Sequence, residues 1–344
     1  MMNNIFVDTI NGIKRERPPV WFMRQAGRII PEYLKLREKY SFHELLYTPE
    51  LAAEVTLQPV RSLGVDAAIL FSDILVIPEA MGMKVVFTDH GPRFETPLKE
   101  VKNPVGFLDP DPEKLHPVYR AIDAVMAAKS ADTPLIGFCG SPLTTLLYMV
   151  QGISSDHQFP AVVDLMYCDP ETADKLLEMV ADLSIEYALS QVMHGISAFQ
   201  LFETHAGLLP YPLYIERVMP HVRRILSAVR KTGTPVIFFP KGLGNGMRAL
   251  KGEPIDFVSV DWQMSIEDAC EMVGPEIGVQ GNLDPRILTT DQGTIKKELE
   301  KYLPFGSREH KWIFNLGHGV LPNIPFENMK FVVDWIKSAD WKRS

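Results

Sequence analysis

Two arginines four residues apart, Arg24 and Arg28, stand in "VWFMRQAGR" with Gln25, Ala26 and Gly27 between them, directly after an apolar run. Guanidinium groups grip carboxylates and phosphates two-pronged, so the stretch reads as an anion-binding segment at the end of a buried strand. A third arginine, Arg37, follows in the same strand-to-helix segment, "RQAGRIIPEYLKLR". Three cations so placed point to a ligand with several negative charges. The plain alternative for Arg28 is an ion pair with Glu32 across one helical turn, worth only ~0.2–0.5 kcal/mol.

Other polar residues close or follow similar apolar runs. Asp73 follows "AAILFS", Glu203, Thr204 and His205 follow "SAFQLF", and Lys241 follows "PVIFFP". Asp261 follows "DFVSV", Asn282 "EIGVQG" and His318 "KWIFNLG", while Tyr148 lies a little beyond "PLIGFCG". Each has an ordinary structural reading. Asp73 can cap the next helix, His205 and His318 can be satisfied structural histidines, Tyr148 can be helix packing, and Lys241 can pair with Asp261 in a salt bridge. Convergence favours function, because polar groups ending many apolar runs share one pocket if those ends meet. A lone carboxylate in a cleft of arginines, Asp73 is expected to stay ionised and to face a cation or N–H donors on the ligand.

The elements that would bring these ends together are legible in the same pattern. Eight short runs are nearly continuous in hydrophobicity, as in strands buried on both faces of a parallel sheet. Between them lie helical stretches, among them 48–63, 170–194 and 212–230, with Thr48-Pro49 and Asp169-Pro170 as cap and first-turn proline. The expected fold is α/β, a single (β/α)8 TIM barrel, in which chemistry gathers at the C-terminal ends of the strands. An open doubly wound sheet is the runner-up; no GxGxxG follows the first strand and no strand has the polar look of an edge. Residues 82–99 read as a β-hairpin inserted after the second strand, turning at Asp89-His90-Gly91-Pro92. No repeat or linker interrupts the chain, so residues 1–344 are expected to form one domain.

Composition narrows the function classes. The 344 residues are 46% hydrophobic and 23% charged, as in a folded globular protein, and carry a formal charge of −8. That mean field opposes nonspecific binding to nucleic acid or an anionic membrane, so an anionic ligand must be drawn in locally. Cys139, Cys168 and Cys270 lie far apart with no CxxC or His-rich spacing, which points to a reducing cytoplasm and no cysteine-based metal site. No apolar run approaches membrane-spanning length, and the N-terminal stretch lacks a signal-peptide core.

The chain resembles the uroporphyrinogen decarboxylase family from about residue 2 to about 340. The resemblance rests on "PPVWFMRQAGRIIPEY", "FSDIL", "IGFCGSPLTTLLYMVQG", "LFETHAG", "VQGNLDP" and "NLGHGVLP". It implies a single β/α barrel, commonly a homodimer, with no cofactor and no metal. The implied reaction removes carbon dioxide from the four acetate side chains of uroporphyrinogen III to give coproporphyrinogen III. Carried over by position, the resemblance makes Arg24, Gln25, Ala26, Gly27 and Arg28 a substrate-binding segment, with Arg37 a third cleft arginine. Asp73 is matched to the carboxylate that contacts the pyrrole N–H groups, Tyr148 to a residue near the reacting acetate, Thr204 and His205 to the motif after the fourth strand, and His318 to a substrate contact. Phe202 would line the macrocycle's face. Asp73, Tyr148 and Arg24 are the implied catalytic residues.

The sequence departs from the family pattern at Leu143, where a tryptophan is usual, and at Gln151, where a glutamate is usual. The segment after it, "QGISSDHQFP", replaces a glycine-rich loop, which leaves the closing of that loop open. Two competing readings have their own signatures. Methyltransferases of the same barrel that act on coenzyme M and corrinoids need a His-x-Cys pair, where this chain has His205-Ala206-Gly207. A non-catalytic tetrapyrrole-binding protein would gain nothing from Asp73, which weakens the hold on a polyanion but helps a cationic intermediate.

Overall fold

The computed structural model describes residues 4–88, 91–152, 158–309 and 311–342. Its strands in chain order are β1 (Ala68–Ile69), β2 (Val85–Thr88), β3 (Gly91–Phe94), β4 (Leu135–Gly140), β5 (Ala198–Glu203), β6 (Val236–Pro240), β7 (Phe257–Ser259), β8 (Gly278–Leu283) and β9 (Trp312–Leu316). Seven of them form one parallel sheet in the order β1-β4-β5-β6-β7-β8-β9.

The eighth stave is residues 19–23, and it closes the barrel. Val20 bridges Phe314 of β9 in parallel, the Phe314 amide donates to Pro19 at 2.9 Å, and on the other side the Asp66 amide donates to Val20 at 2.8 Å. The expected (β/α)8 barrel is therefore present, although its first stave is too short to form a regular ladder. β2 and β3 pair antiparallel as a small separate sheet after β1, where a hairpin was expected. The expected turn residues Asp89 and His90 lie outside the described residues.

The helices follow their apolar periodicity with one informative exception. Pro49–Ser62 and Pro170–Met193 match two of the expected spans. Asp169 accepts from the Thr172 amide as a side-chain cap, whereas Thr48 precedes its proline without a side-chain cap bond. The stretch read as one helix over 212–230 is divided instead: a π-helical segment, Tyr214–Val218, precedes the α-helix Met219–Arg230. Pro220 explains the change, since its missing N–H and its ring forbid a regular i→i−4 bond at that point.

The barrel's interior is filled rather than hollow. Trp21 donates to Gln280 at 3.0 Å, Gln280 donates to Gln200 at 3.0 Å and to Ser259 at 2.6 Å, and all four side chains are buried. Buried polar groups that satisfy one another in this way cost little and rigidify a core. The plug leaves the C-terminal end of the strands as the open end.

Candidate active site

At that open end lies a cleft of about 1120 Å³, counting the open space of its mouth. Its walls are largely apolar and aromatic, with Phe71, Phe138, Phe202 and Phe239 among them. Arg24 and Arg28 line it, and both are exposed. Neither forms an ion pair with a protein carboxylate among the described residues, so the alternative pairing of Arg28 with Glu32 is not made. Partial burial, with the like charge of Arg24 second, lowers the Arg28 pKa, a crowding that an anion would relieve.

The backbone that carries these arginines is held in an uncommon shape. Arg24 has φ 61° and Arg28 has φ 43°, left-handed conformations that cost an L-residue about 1–3 kcal/mol each. Gly27, at φ 93°, meets the same demand at no such cost. The fold over-determines the turn. Met23 donates to the Asn315 side chain at 3.1 Å, Val320 donates to Met23, and Ile30 donates to Gly27.

Gln25 belongs to this scaffold and not to the cleft. Its Oε1 accepts from the Phe22 amide at 2.9 Å, its Nε2 donates to the Ala67 carbonyl at 2.9 Å, and it is 1% exposed. The expectation that Gln25 binds substrate is corrected accordingly; Ala26 and Gly27 do line the cleft. Arg37 stands just outside the cleft, where its charge still reaches Tyr33, a lining residue. It ends the helix Pro31–Arg37, donates to the Tyr40 carbonyl at 2.8 Å and is not among the cleft-lining residues.

Asp73 lies in the cleft wall, the one carboxylate among the described residues that line it. Its Oδ1 also accepts from the Leu75 amide at 2.9 Å in the turn that leads into the helix Val76–Ala80, which has no side-chain cap bond of its own. Burial raises its pKa above the ordinary carboxylate value, while the Leu75 amide, the Arg24 charge and the Ile74 amide pull it back. Asp73 is an under-solvated acceptor whose charge N–H donors on a ligand would complete.

Tyr148, on the helix Pro142–Gln151 that follows β4, lines the cleft, as do Phe202 on β5, Thr204 just after it and His318 after β9. The Tyr148 hydroxyl lies 3.1 Å from His205 Nε2, and Phe159 packs edge-on against both rings. His205 is not a lining residue; it stands behind Tyr148. Burial raises the Tyr148 pKa, with Arg24 opposing and Asp73 reinforcing, so the three groups share one field. His318 is depressed to about 3, first by burial and then by Arg24, Lys241, His205 and Arg28. Its imidazole is neutral at physiological pH and offers one N–H and one lone pair.

Three further strand-end residues do structural work. Asp261 accepts from the Gly242 amide at 2.6 Å and the Gln263 amide at 2.8 Å, and it forms no ion pair with Lys241. Asn282 donates to the Asp261 and Met264 carbonyls and accepts from Tyr302. Glu203 is fully buried on β5, where it accepts from the Thr144 amide at 2.9 Å and from the Thr144 hydroxyl. Burial pushes its carboxyl up to about 7. Glycine carries a different missed signal at position 319. A Cβ there would lie 2.7 Å from Arg24 Cγ, so Gly319 makes room for the arginine's stem.

A basic-lipped, aromatic-walled cleft with one carboxylate at the open end of a β/α barrel defines a site for a large polyanion whose centre carries N–H groups or positive charge. Comparison with known proteins agrees in kind. The uroporphyrinogen decarboxylase profile matches residues 1–339, and the chain belongs to that family. It is 42% identical over 336 residues to the uroporphyrinogen decarboxylase of Trichlorobacter lovleyi, covering 97% of this chain and 98% of the relative. It is 41% identical over 342 residues to that of Geobacter metallireducens, covering 99% and 100%. A solved methyltransferase from Methanosarcina mazei shares the fold, with a TM-score of 0.77 at 19% identity over 97% of each chain. None of the three thiols of this chain lines the cleft: Cys139 is buried on β4, Cys168 ends the helix Pro160–Cys168, and Cys270 lies near Glu309.

Proposed function

We propose that this cleft removes carbon dioxide from the four acetates of uroporphyrinogen III, giving coproporphyrinogen III on the route to haem-type tetrapyrroles. The observation that carries the reading is the pairing of opposites in one cleft: Arg24 and Arg28 at its lip, and Asp73 as its lone lining carboxylate. A porphyrinogen bears carboxylates on its rim and pyrrole N–H groups at its centre, which is the same arrangement with signs reversed. No cofactor or metal enters the reading, and residues 1–344 act as one domain of a cytoplasmic homodimer. No described helix is long and apolar enough to cross a membrane.

The chemistry follows from charge. Breaking the bond between an acetate methylene and its carboxylate leaves an electron pair with no acceptor on a neutral pyrrole. A proton added to the ring carbon beside the acetate turns the pyrrole into a cation, and the pair from the broken bond then fills an exocyclic double bond. A proton at the methylene makes the methyl group, and the ring carbon gives up its own proton, so each acetate loses carbon dioxide and gains one hydrogen. Asp73, facing the N–H groups, stabilises the cation in a water-poor site, where one preorganised group is worth roughly 3–4 kcal/mol. Arg24 and Arg28 fix the carboxylates and hence the ring that reacts. Tyr148, held by His205, places its hydroxyl beside the same carboxylate and arginine.

Anaerobic incubation with uroporphyrinogen III, followed by chromatography of the oxidised products, tests the reading. Stepwise loss of acetates down to a four-carboxylate product is expected. Unchanged octacarboxylate despite tight binding would replace the enzyme with a non-catalytic tetrapyrrole carrier.

A further inference from the structure

Lys241 follows β6, and the closed strand order places it four staves from residues 19–23 in either direction, directly across the mouth from Arg24 and Arg28. Its backbone is clamped on both sides. The Lys241 amide donates to the Glu203 carbonyl at 3.0 Å, the Gly207 amide donates to the Lys241 carbonyl at 3.0 Å, and the next amide, Gly242, is held by Asp261. The ammonium lies over the Trp262 ring, 5.6 Å from its centroid, and the Trp262 ring is 6.3 Å from that of His318, which lines the cleft. Among the described residues no carboxylate lies within ion-pair distance of it.

A solvated surface lysine gains little by folding back onto an aromatic face, an interaction of about 0.5–1 kcal/mol at an exposed site. Here the backbone mount is held by neighbouring strands, Asp261 is spent on backbone amides, and Lys241 stands just behind the lining residue His318 at the same end of the barrel. The same charge acts on His318, as does that of Arg24. We infer that Lys241, seated on Trp262, is a second carboxylate-binding point, which holds an acidic side chain on the far edge of the ligand while Arg24 and Arg28 hold the near edge. This rests on the proposed function for the identity of the ligand. A macrocycle gripped at both edges has a fixed tilt over Asp73, which is what presents one acetate at a time to the reacting position.

The test compares wild type with Lys241→Met and Lys241→Arg, by steady-state turnover of uroporphyrinogen III and by anaerobic equilibrium binding of the same compound. Losing one charge-assisted contact should raise KM and the dissociation constant of Lys241→Met roughly tenfold and flatten their salt dependence, with Lys241→Arg recovering most of the loss. A purely structural lysine would move the melting temperature and leave the salt dependence alone. Turnover by wild type with an unaltered KM and dissociation constant in Lys241→Met overturns this inference and spares the proposed function. Absence of turnover by wild type, with binding still weakened in Lys241→Met, overturns the proposed function and spares the anion site. No binding by wild type overturns both.

Discussion

Gly319 leaves the space that the stem of Arg24 occupies: a Cβ at position 319 would meet Arg24 Cγ at 2.7 Å and crowd its Cδ as well. The two residues come from opposite ends of the chain, brought together where the first stave closes against β9. Gly319→Ala should therefore push the guanidinium off its path while leaving the core intact, because the flexible side chain moves before the backbone does. The expected result is a rise in KM of about tenfold, the worth of one displaced charge-assisted contact, with a melting temperature within a few degrees of wild type. A variant with wild-type kinetics would show that Arg24 reaches the ligand by another path.

Asp73→Asn separates the two jobs of that residue. The asparagine oxygen can still accept from the Leu75 amide, so that turn contact survives, but the negative charge in the cleft wall is gone. Turnover should fall by roughly 10²–10³, the usual cost of removing one preorganised group that acts in the transition state, while substrate affinity stays within a few-fold of wild type or improves. Anaerobic product analysis alongside binding measures both. Wild-type turnover in the variant would remove Asp73 from the mechanism.

The arginines and the aromatic wall should be distinguishable by the size of their effects on binding. Arg28 has no protein carboxylate to pair with among the described residues, so its charge is available to a ligand. Arg28→Ala should weaken binding by about 1.5–3 kcal/mol, the range for hydrogen bonds to charged groups. Phe202→Leu keeps an apolar wall and should cost less than about 1.5 kcal/mol. Equal dissociation constants for wild type and Arg28→Ala would refute the assignment.

The fold and the cleft's charged pair were legible because each depends on residue type and spacing alone. Eight buried apolar runs separated by helical periodicity specify a β/α barrel, and two arginines after the first run specify an anion site. What stayed hidden depends on direction. Gln25, Asp261 and Asn282 are polar residues near strand ends, as Asp73 is, yet backbone amides and carbonyls left over by irregular turns consume them. Nothing in an amino-acid type tells whether a side chain at a strand end faces ligand or spare backbone. The left-handed backbone at Arg24 and Arg28 has no signature in residue type, since arginine does not prefer it. The segment 153–157, whose departure from the family's loop raised a question about closure, lies outside the described residues.

Glu203 supplies a pH dependence that belongs to stability rather than to chemistry. Its carboxyl is pushed by burial from 4.5 up to about 7, against the pull of the Thr144 contacts and the Tyr214 hydroxyl. A carboxyl whose folded pKa is raised stabilises the native state in its protonated form, so that contribution is fully present below about 4.5 and is lost as the pH rises toward about 7. Over that window the loss is on the order of 3 kcal/mol, read from the shift at 1.36 kcal/mol per unit. Glu203→Gln keeps an acceptor for the Thr144 amide and removes the titration. Denaturant midpoints at pH 5 and pH 8 should therefore diverge between the two proteins, with the variant gaining on wild type at pH 8. Because Thr144 lies on the helix Pro142–Gln151 that carries Tyr148, the gain should come with a tighter Tyr148–His205 contact and an unchanged or higher turnover at pH 8. Parallel midpoints at the two pH values would show that Glu203 is already ionised in the folded protein throughout that window and that another group sets the protein's alkaline limit.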